Sequence, residues 1–411
     1  MELKVKYQTS YFIYPFIIKQ EKYQKYILKL LKNKNIEMKL FNKKVDTDLY
    51  CYFLPQILRH AFYSFGIYED QRKELNEMDK KLKAKVISEF PCITFEYKLK
   101  KELQAKTGEE KGIFFKIQRI QIICFNTGIC FLILKTNVED TNKFEDILDF
   151  NYKFRDINSD VNYLRAIDNI KIQNNTFGDI KKMSELIKEI TGNMEETRKV
   201  NIDTNRFLIY SYVCLEQEYW SNPEEFNKIE KEFYKYANVL PSSFNSKFDN
   251  EKLNIVNLGQ YIKIGITKTG VNLLTSSVNT INYTLLPNNH EYQYMYIYIL
   301  TLYKRIFLKK IMNDYKVFSN MEKISEESNK FVNELWAIEM TNDDNGNLLQ
   351  EELEKTLELD KLYEKVKDQY DVQYKRMNVE KNSKSNKILI LILILSLGLN
   401  IINFILLFKK I

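Results

Sequence analysis

From Ile388 to Phe408 the chain runs for 21 residues without a charged side chain, and no other stretch constrains it as strongly. At 1.5 Å per residue a helix of that length reaches about 30 Å, the hydrocarbon thickness of a bilayer. The expectation is a single-pass, tail-anchored membrane protein. Lys381, Lys384 and Lys387 precede the run and Lys409 and Lys410 follow it. The heavier flank is N-terminal, which predicts a cytoplasmic N-terminal region. Within the run, Ser396, Asn400 and Asn403 fall at steps of four and three and so share one helix face. Polar side chains at that depth need a partner helix, and the simplest partner is a second copy. The spacing thus predicts a homo-oligomer whose polar stripe either holds copies together or lines a pore.

Ahead of that run the chain is rich in residues that build a core, with 45% hydrophobic and 14% aromatic side chains. Glycine (11) and proline (6) are scarce, which suits long helices and regular strands. The 62 basic and 55 acidic residues are interleaved, so the net charge of +7 describes a solvated surface and no nucleic-acid partner is expected. The five cysteines are scattered without a CxxC pair and read as buried free thiols. The first residues lack a basic segment followed by an apolar one, so no secretory signal is expected there.

Residues 1–150 carry strand signals at Ser10–Ile18, Val86–Tyr97, Ile113–Phe125 and Ile129–Thr136. Asn126, Thr127 and Gly128 separate the last two, which predicts a hairpin. Apolar spacing at three and four predicts helices over Tyr23–Leu31 and Asp70–Lys85. Residues 151–290 read as a second α/β segment, or as a continuation of the same sheet. Ser221 or Asn222 caps a helix that has Pro223 near its first position. Short strands follow at Leu253–Leu258, Tyr261–Thr267 and Val271–Ser276. Beyond Pro287 there is no further proline, and helices are expected over Tyr292–Tyr315, Ile324–Met340 and from Leu348 onward. The resulting fold class is an α+β cytosolic region (1–290), a helical stalk with a coiled-coil stripe (291–386) and a transmembrane anchor (387–411). A hinge or a membrane-surface collar is expected at Asn382–Asn386.

No catalytic motif is intact, so the chain is not read as an enzyme. The two histidines leave little material for a zinc site or a catalytic triad. His60 lies among apolar and aromatic residues and reads as a packed side chain, whereas His290 reads as a surface residue. Gly265 to Gly270 has P-loop glycine spacing, but Val271 and Asn272 stand where lysine and serine or threonine would be needed, so a tight turn is expected. Thr341 to Glu352 approaches a calcium loop, with Asp343, Asn345, Asn347 and Glu352 as candidate ligands for a divalent cation. Thr341 replaces the first aspartate, and an Asn345-Gly346 turn between helices accounts for the same residues.

The strand pair Ile120 to Lys135, the helical segment Phe331 to Tyr374 and the tail Lys387 to Ile411 together resemble the CorA-like family of divalent-cation channels and their defence-associated relatives. Members have two membrane helices and a Gly-Met-Asn signature after the first. This chain has one candidate span, with Gly398-Leu399-Asn400 in its middle. The resemblance implies an oligomeric membrane effector, lodged in a lipid bilayer, whose cytosolic region senses a small nucleotide-like ligand and whose clustered spans open the membrane. The alternatives are a tail-anchored scaffold that recruits partners and a divalent-cation transporter.

Overall fold

The computed structural model describes residues 2–99, 103–107, 113–157, 171–174, 178–192, 195–245, 254–317, 321–336 and 338–408. Its strands are β1 (Val5–Ile17), β2 (Ile36–Lys39), β3 (Cys92–Tyr97), β4 (Leu103–Thr107), β5 (Ile113–Phe125), β6 (Ile129–Val138), β7 (Lys171–Asn174), β8 (Gly178–Lys182), β9 (Leu208–Leu215), β10 (Asn254–Gly259), β11 (Ile262–Thr267) and β12 (Gly270–Ser276). The helices of the first two thirds are α1 (Gln20–Lys32), α2 (Thr47–Tyr52), α3 (Pro55–Ala61), α4 (Glu69–Glu77), α5 (Lys80–Ile87), α6 (Phe144–Phe154), α7 (Met183–Thr191), α8 (Glu195–Lys199) and α9 (Phe226–Ala237). The last third adds α10 (Ile281–Thr284), α11 (Leu286–Asn289), α12 (Met295–Val317), α13 (Met321–Phe331), α14 (Asp344–Thr356) and α15 (Leu359–Phe408).

All twelve strands join one mixed sheet, ordered β10-β11-β12-β9-β1-β6-β5-β4-β7-β8, with β2 and β3 attached beside β5. β9 and β12 run parallel. β1 pairs with β6 on one side and β9 on the other. One sheet therefore spans both halves of residues 1–290. As the central strand, β1 is buried on both faces, which is why Tyr11 to Ile17 reads as a continuous apolar run. Alternation sends Tyr11, Ile13 and Ile17 into one core and Phe12, Tyr14 and Phe16 into the other. The second core is closed by α1, α5, α6 and α7, and α9 covers the sheet near β9 and β12. The first core is closed by α3, α12, α14 and the beginning of α15.

The Asn126–Gly128 hairpin forms as expected between β5 and β6. Gly128 sits at φ +82°, and a Cβ there would lie 2.2 Å from the Ile18 carbonyl oxygen. Backbone that positive and that close to another carbonyl leaves room only for glycine. Gly128→Ala is expected to lower the unfolding free energy by about 2 kcal/mol or more, measured by urea denaturation. Asn222 caps its turn as read, accepting from the Glu225 amide, with Glu225 reaching back to the Asn222 amide. Hydrogen bonds from the Ser221 amide and hydroxyl, and then from the Asn222 amide, hold the Glu225 carboxyl down at about 2.

Several expectations are corrected. Among the described residues, no helix is long and apolar enough to cross a membrane. The single-pass, tail-anchored reading is overturned by that finding, and the transmembrane part of the fold class and the membrane localisation go with it. The uncharged run is instead the far part of α15, a 50-residue helix whose nearer part is charged on successive turns. The run is continuous in helix with turns that carry Lys381, Lys384 and Lys387, so it belongs to a longer helix and does not stand as a separate segment. Helix continues through Asn382–Asn386 without a hinge. Ile388, Leu389, Ile390, Ile392 and Leu393 are each more than half exposed. The backbones of Ser396, Asn400 and Asn403 belong to α15, and their side chains lie outside the described residues.

Residues 291–386 do not form a stalk either. Met295 to Leu300 are six consecutive buried residues, so the first turns of α12 are apolar on every side and pack against the sheet. A helix with an apolar surface all round belongs in a core, whereas a stalk helix would show a single stripe. Leu349, Leu353, Leu357 and Val366 of the expected coiled-coil stripe enter the same core. The stripe is also broken, because Glu358 takes a φ of +55° and separates α14 from α15.

Candidate ligand-binding site

α3 begins at Pro55, which needs no amide partner in a first helical turn, and its last turn carries His60 to the end of the sheet where β5 meets β6. His60 faces Phe125, with ring centroids 5.8 Å apart and an interplanar angle of 28°, and lies 5.7 Å from the Tyr303 ring of α12. Phe125 and Tyr303 stack at 4.0 Å. Farther along α12, Phe307 stacks on Phe331 of α13 at 4.4 Å. These groups enclose a cavity of about 190 Å³, lined by His60, Thr127, Tyr303, Phe307, Phe331 and Leu335, with Gln20, Pro91, Asn126, Glu327, Lys330 and Glu334 at its margin.

The polar groups of this cavity are few. His60 Nε2 is buried and has no hydrogen-bond partner. Burial, helped by the charge of Lys330, pushes the imidazole down to about 4, so it is neutral at pH 7. The Thr127 hydroxyl lies beside that of Tyr303. At the margin, Glu327 sits 3.5 Å from Lys310, and Lys330 and Glu334 are exposed. The charged side chains that border the cavity are thus Lys330, Glu327 and Glu334, while Lys310 lies behind Glu327 and 3.7 Å from Asp314.

One wall ends in a π-helical turn, Val332–Trp336, directly after α13. Such turns recur at functional sites because the extra residue leaves carbonyls without helical partners. Here the Trp336 carbonyl accepts from Lys304 Nζ at 3.2 Å, and the same ammonium donates to Glu354 Oε1 at 2.8 Å. Lys304 is buried and its charge is paired with Glu354, so it ties α12 to α14 and to the turn. The Trp336 indole stacks on Tyr363 of α15 at 4.5 Å. The cavity wall and α15 are therefore in direct contact.

A second π-helical turn, His290–Tyr294, enters α12 from the other end. His290 is not a surface residue, being 1% exposed and stacked on Tyr210 at 4.0 Å. Tyr210, Tyr212 and Tyr11 surround a histidine whose two ring nitrogens lack partners, and burial pushes it well below its usual range. The turn also delivers Glu291 to the sheet, where it pairs with Arg119 of β5 and, at 2.6 Å, with Lys135 of β6. Burial alone would raise that carboxyl, but the two cations hold it below the ordinary carboxylate range. The two cations share this one carboxylate, which reads as a structural link between α12 and the sheet.

The candidate cation ligands are not gathered into a loop. Asp343 caps α14 by accepting from the Gly346 amide at 2.8 Å. Asn345, Asn347 and Glu352 lie inside the helix, and Glu352 accepts from Asn254 at 2.7 Å. A helix spreads these residues around and along its axis, so they do not wrap a common centre. Among the described residues no group of three potential metal-binding side chains occurs. Gly265 to Gly270 is the β11–β12 hairpin, with a two-residue turn at Lys268 and Thr269. Cys51 is exposed, unlike the other four cysteines.

Sequence reasoning recognised His60 as packed but not the cavity, which needs six separated segments to meet. It also missed β9, although Leu208 to Leu215 (LIYSYVCL) is a plain aromatic and β-branched run. No protein-family model matches the chain, and no curated protein and no solved structure matches it.

Proposed function

We propose that this chain is a non-catalytic binding module that takes a small, uncharged, planar heterocycle into the cavity beside His60 and conveys its presence to α15. The carrying observation is the buried, unpartnered His60 Nε2 in an aromatic-walled cavity. A buried polar atom without a partner costs free energy, and a ligand with a polar edge relieves that cost. Phe331, Phe307 and Tyr303 offer ring surfaces. The volume is below the roughly 300–1,000 Å³ of drug-sized sites, so it matches one ring system. With two carboxylates and one lysine at its margin the cavity disfavours an anion, and the neutral imidazole and aromatic walls suit an uncharged ring. Trp336, at the end of the same wall, touches α15 through Tyr363 and supplies the route outward.

Titration with adenine and with indole, followed by Trp336 emission and by ligand-observed NMR, tests this reading. At least one probe is expected to bind, and His60→Leu is expected to weaken it about tenfold, the equivalent of one hydrogen bond or ~1.4 kcal/mol. Absence of binding at millimolar probe, or equal binding by His60→Leu, would refute it.

A further inference from the structure

Tyr298, Arg305 and Lys309 stand seven and four residues apart on α12 and so share a face of that helix, different from the one that lines the cavity. The β11–β12 turn brings Lys268 to this face, and the junction of α14 and α15 brings Glu358 and Lys361. Lys268 Nζ lies 2.7 Å from Glu358 Oε2, and Lys361 lies 3.7 Å from the other oxygen of the same carboxylate. Lys309 Nζ donates to the Asn201 carbonyl at 3.1 Å. Lys268 and Lys361 pair with the Glu358 carboxylate, Arg305 acts on it electrostatically, and Lys309 adds a fourth cation that has no carboxylate partner among these contacts. Arg305 Nε and the Tyr298 hydroxyl are both buried without hydrogen-bond partners. Asn201 and Glu358, which shape the edge of the cluster, are both non-glycine residues with φ near +55° (56° and 55°). Strained backbone of that kind is kept where surrounding structure enforces it, commonly around binding sites.

We infer that Arg305, Lys309 and Lys268 form a binding site for a phosphate group, with Tyr298 as an additional donor. A guanidinium, two ammonium groups and a phenol together provide the charge and the donors that phosphate oxygens accept from. Lys268 would be shared between Glu358 and the phosphate. The electrostatics agree: burial first, then the charges of Arg305 and Lys268, push the Lys309 ammonium down to about 8, so an anion would relieve a repulsion already present. The site goes beyond the cavity beside His60 and does not depend on it.

Isothermal titration of the full chain with inorganic phosphate and with phenyl phosphate, at constant ionic strength set by chloride, tests the inference. The expected result is saturable binding of at least one. Phosphate alone would mark a site for the free ion, and phenyl phosphate alone or more tightly a site for a phosphomonoester. Arg305→Gln with Lys309→Gln should abolish it, with far-UV circular dichroism confirming the fold. Lys268→Glu, at an exposed turn and checked by the same circular dichroism, should weaken it at least tenfold. No heat with either compound, or unchanged affinity in Lys268→Glu, would overturn the site.

Discussion

Replacing Glu291 by glutamine is expected to lower the unfolding free energy by about 3–5 kcal/mol, the range found when one partner of a buried ion pair is removed. Its side chain is 6% exposed, and those of Arg119 and Lys135 are each 21% exposed. Glutamine keeps the shape but leaves two cations facing one another with no anion between them. The loss should appear as a lower urea midpoint with an unchanged denaturant slope, since compactness is not altered. A change below about 1 kcal/mol would contradict the structural role given to the triad. Arg119→Met, Glu291→Leu and Lys135→Met combined should recover most of the loss, because apolar groups of similar volume often replace a buried ionic cluster at little cost. That pairing of results separates the penalty of an orphaned charge from any loss of packing.

Acidification from pH 7 to pH 4 is expected to remove about 3 kcal/mol of stability through His60 alone. The folded protein holds this imidazole near 4, against 6.5 for an ordinary histidine. Between those values the unfolded chain binds a proton that the folded chain refuses. Stability is therefore complete above about pH 6.5 and falls as the pH drops toward 4, where the loss levels off. His290, lowered by burial in the same way, adds to the loss in the same direction. The depressed Glu291 carboxyl acts later, contributing stability that disappears as the pH falls below the ordinary carboxylate range. Urea denaturation at half-unit steps between pH 4 and pH 7 reads the effect. In His60→Phe the dependence should be shallower, leaving the part due to His290. Parallel curves for the wild type and that variant would show that His60 carries no such burden.

The two histidines also show what a linear reading can and cannot reach. Ile57, Ala61 and Phe62 around His60 announce an apolar setting, and the structure buries each of them. His290 has Asn288 and Asn289 before it and Glu291 after it, a polar neighbourhood that suggests solvent. Its burial arises because a π-helical turn rotates this segment so that both His290 and Glu291 meet the sheet. The partners of Glu291 lie 172 and 156 residues earlier, and no local pattern reports them. The cavity is hidden for the same reason: Thr127, His60, Tyr303 and Phe331 each fit their own element, and only packing places them around one space.

Local chemistry was decisive wherever a few neighbouring residues settle the backbone. The Asn126–Gly128 hairpin, the Asn222 cap, the β-branched runs of β1, β5 and β6 and the glycine-bounded β11–β12 turn are all written in adjacent side chains, because turn geometry, capping and alternation act over two to four residues. Tertiary structure decided which helices are core, joined residues 1–290 into one sheet, and broke the leucine stripe at Glu358. It also decided the setting of the uncharged C-terminal run, which belongs to one long helix with the charged turns before it. Hydropathy along the chain measures what a segment would prefer, whereas the sheet and its covering helices determine which surfaces are available to satisfy that preference.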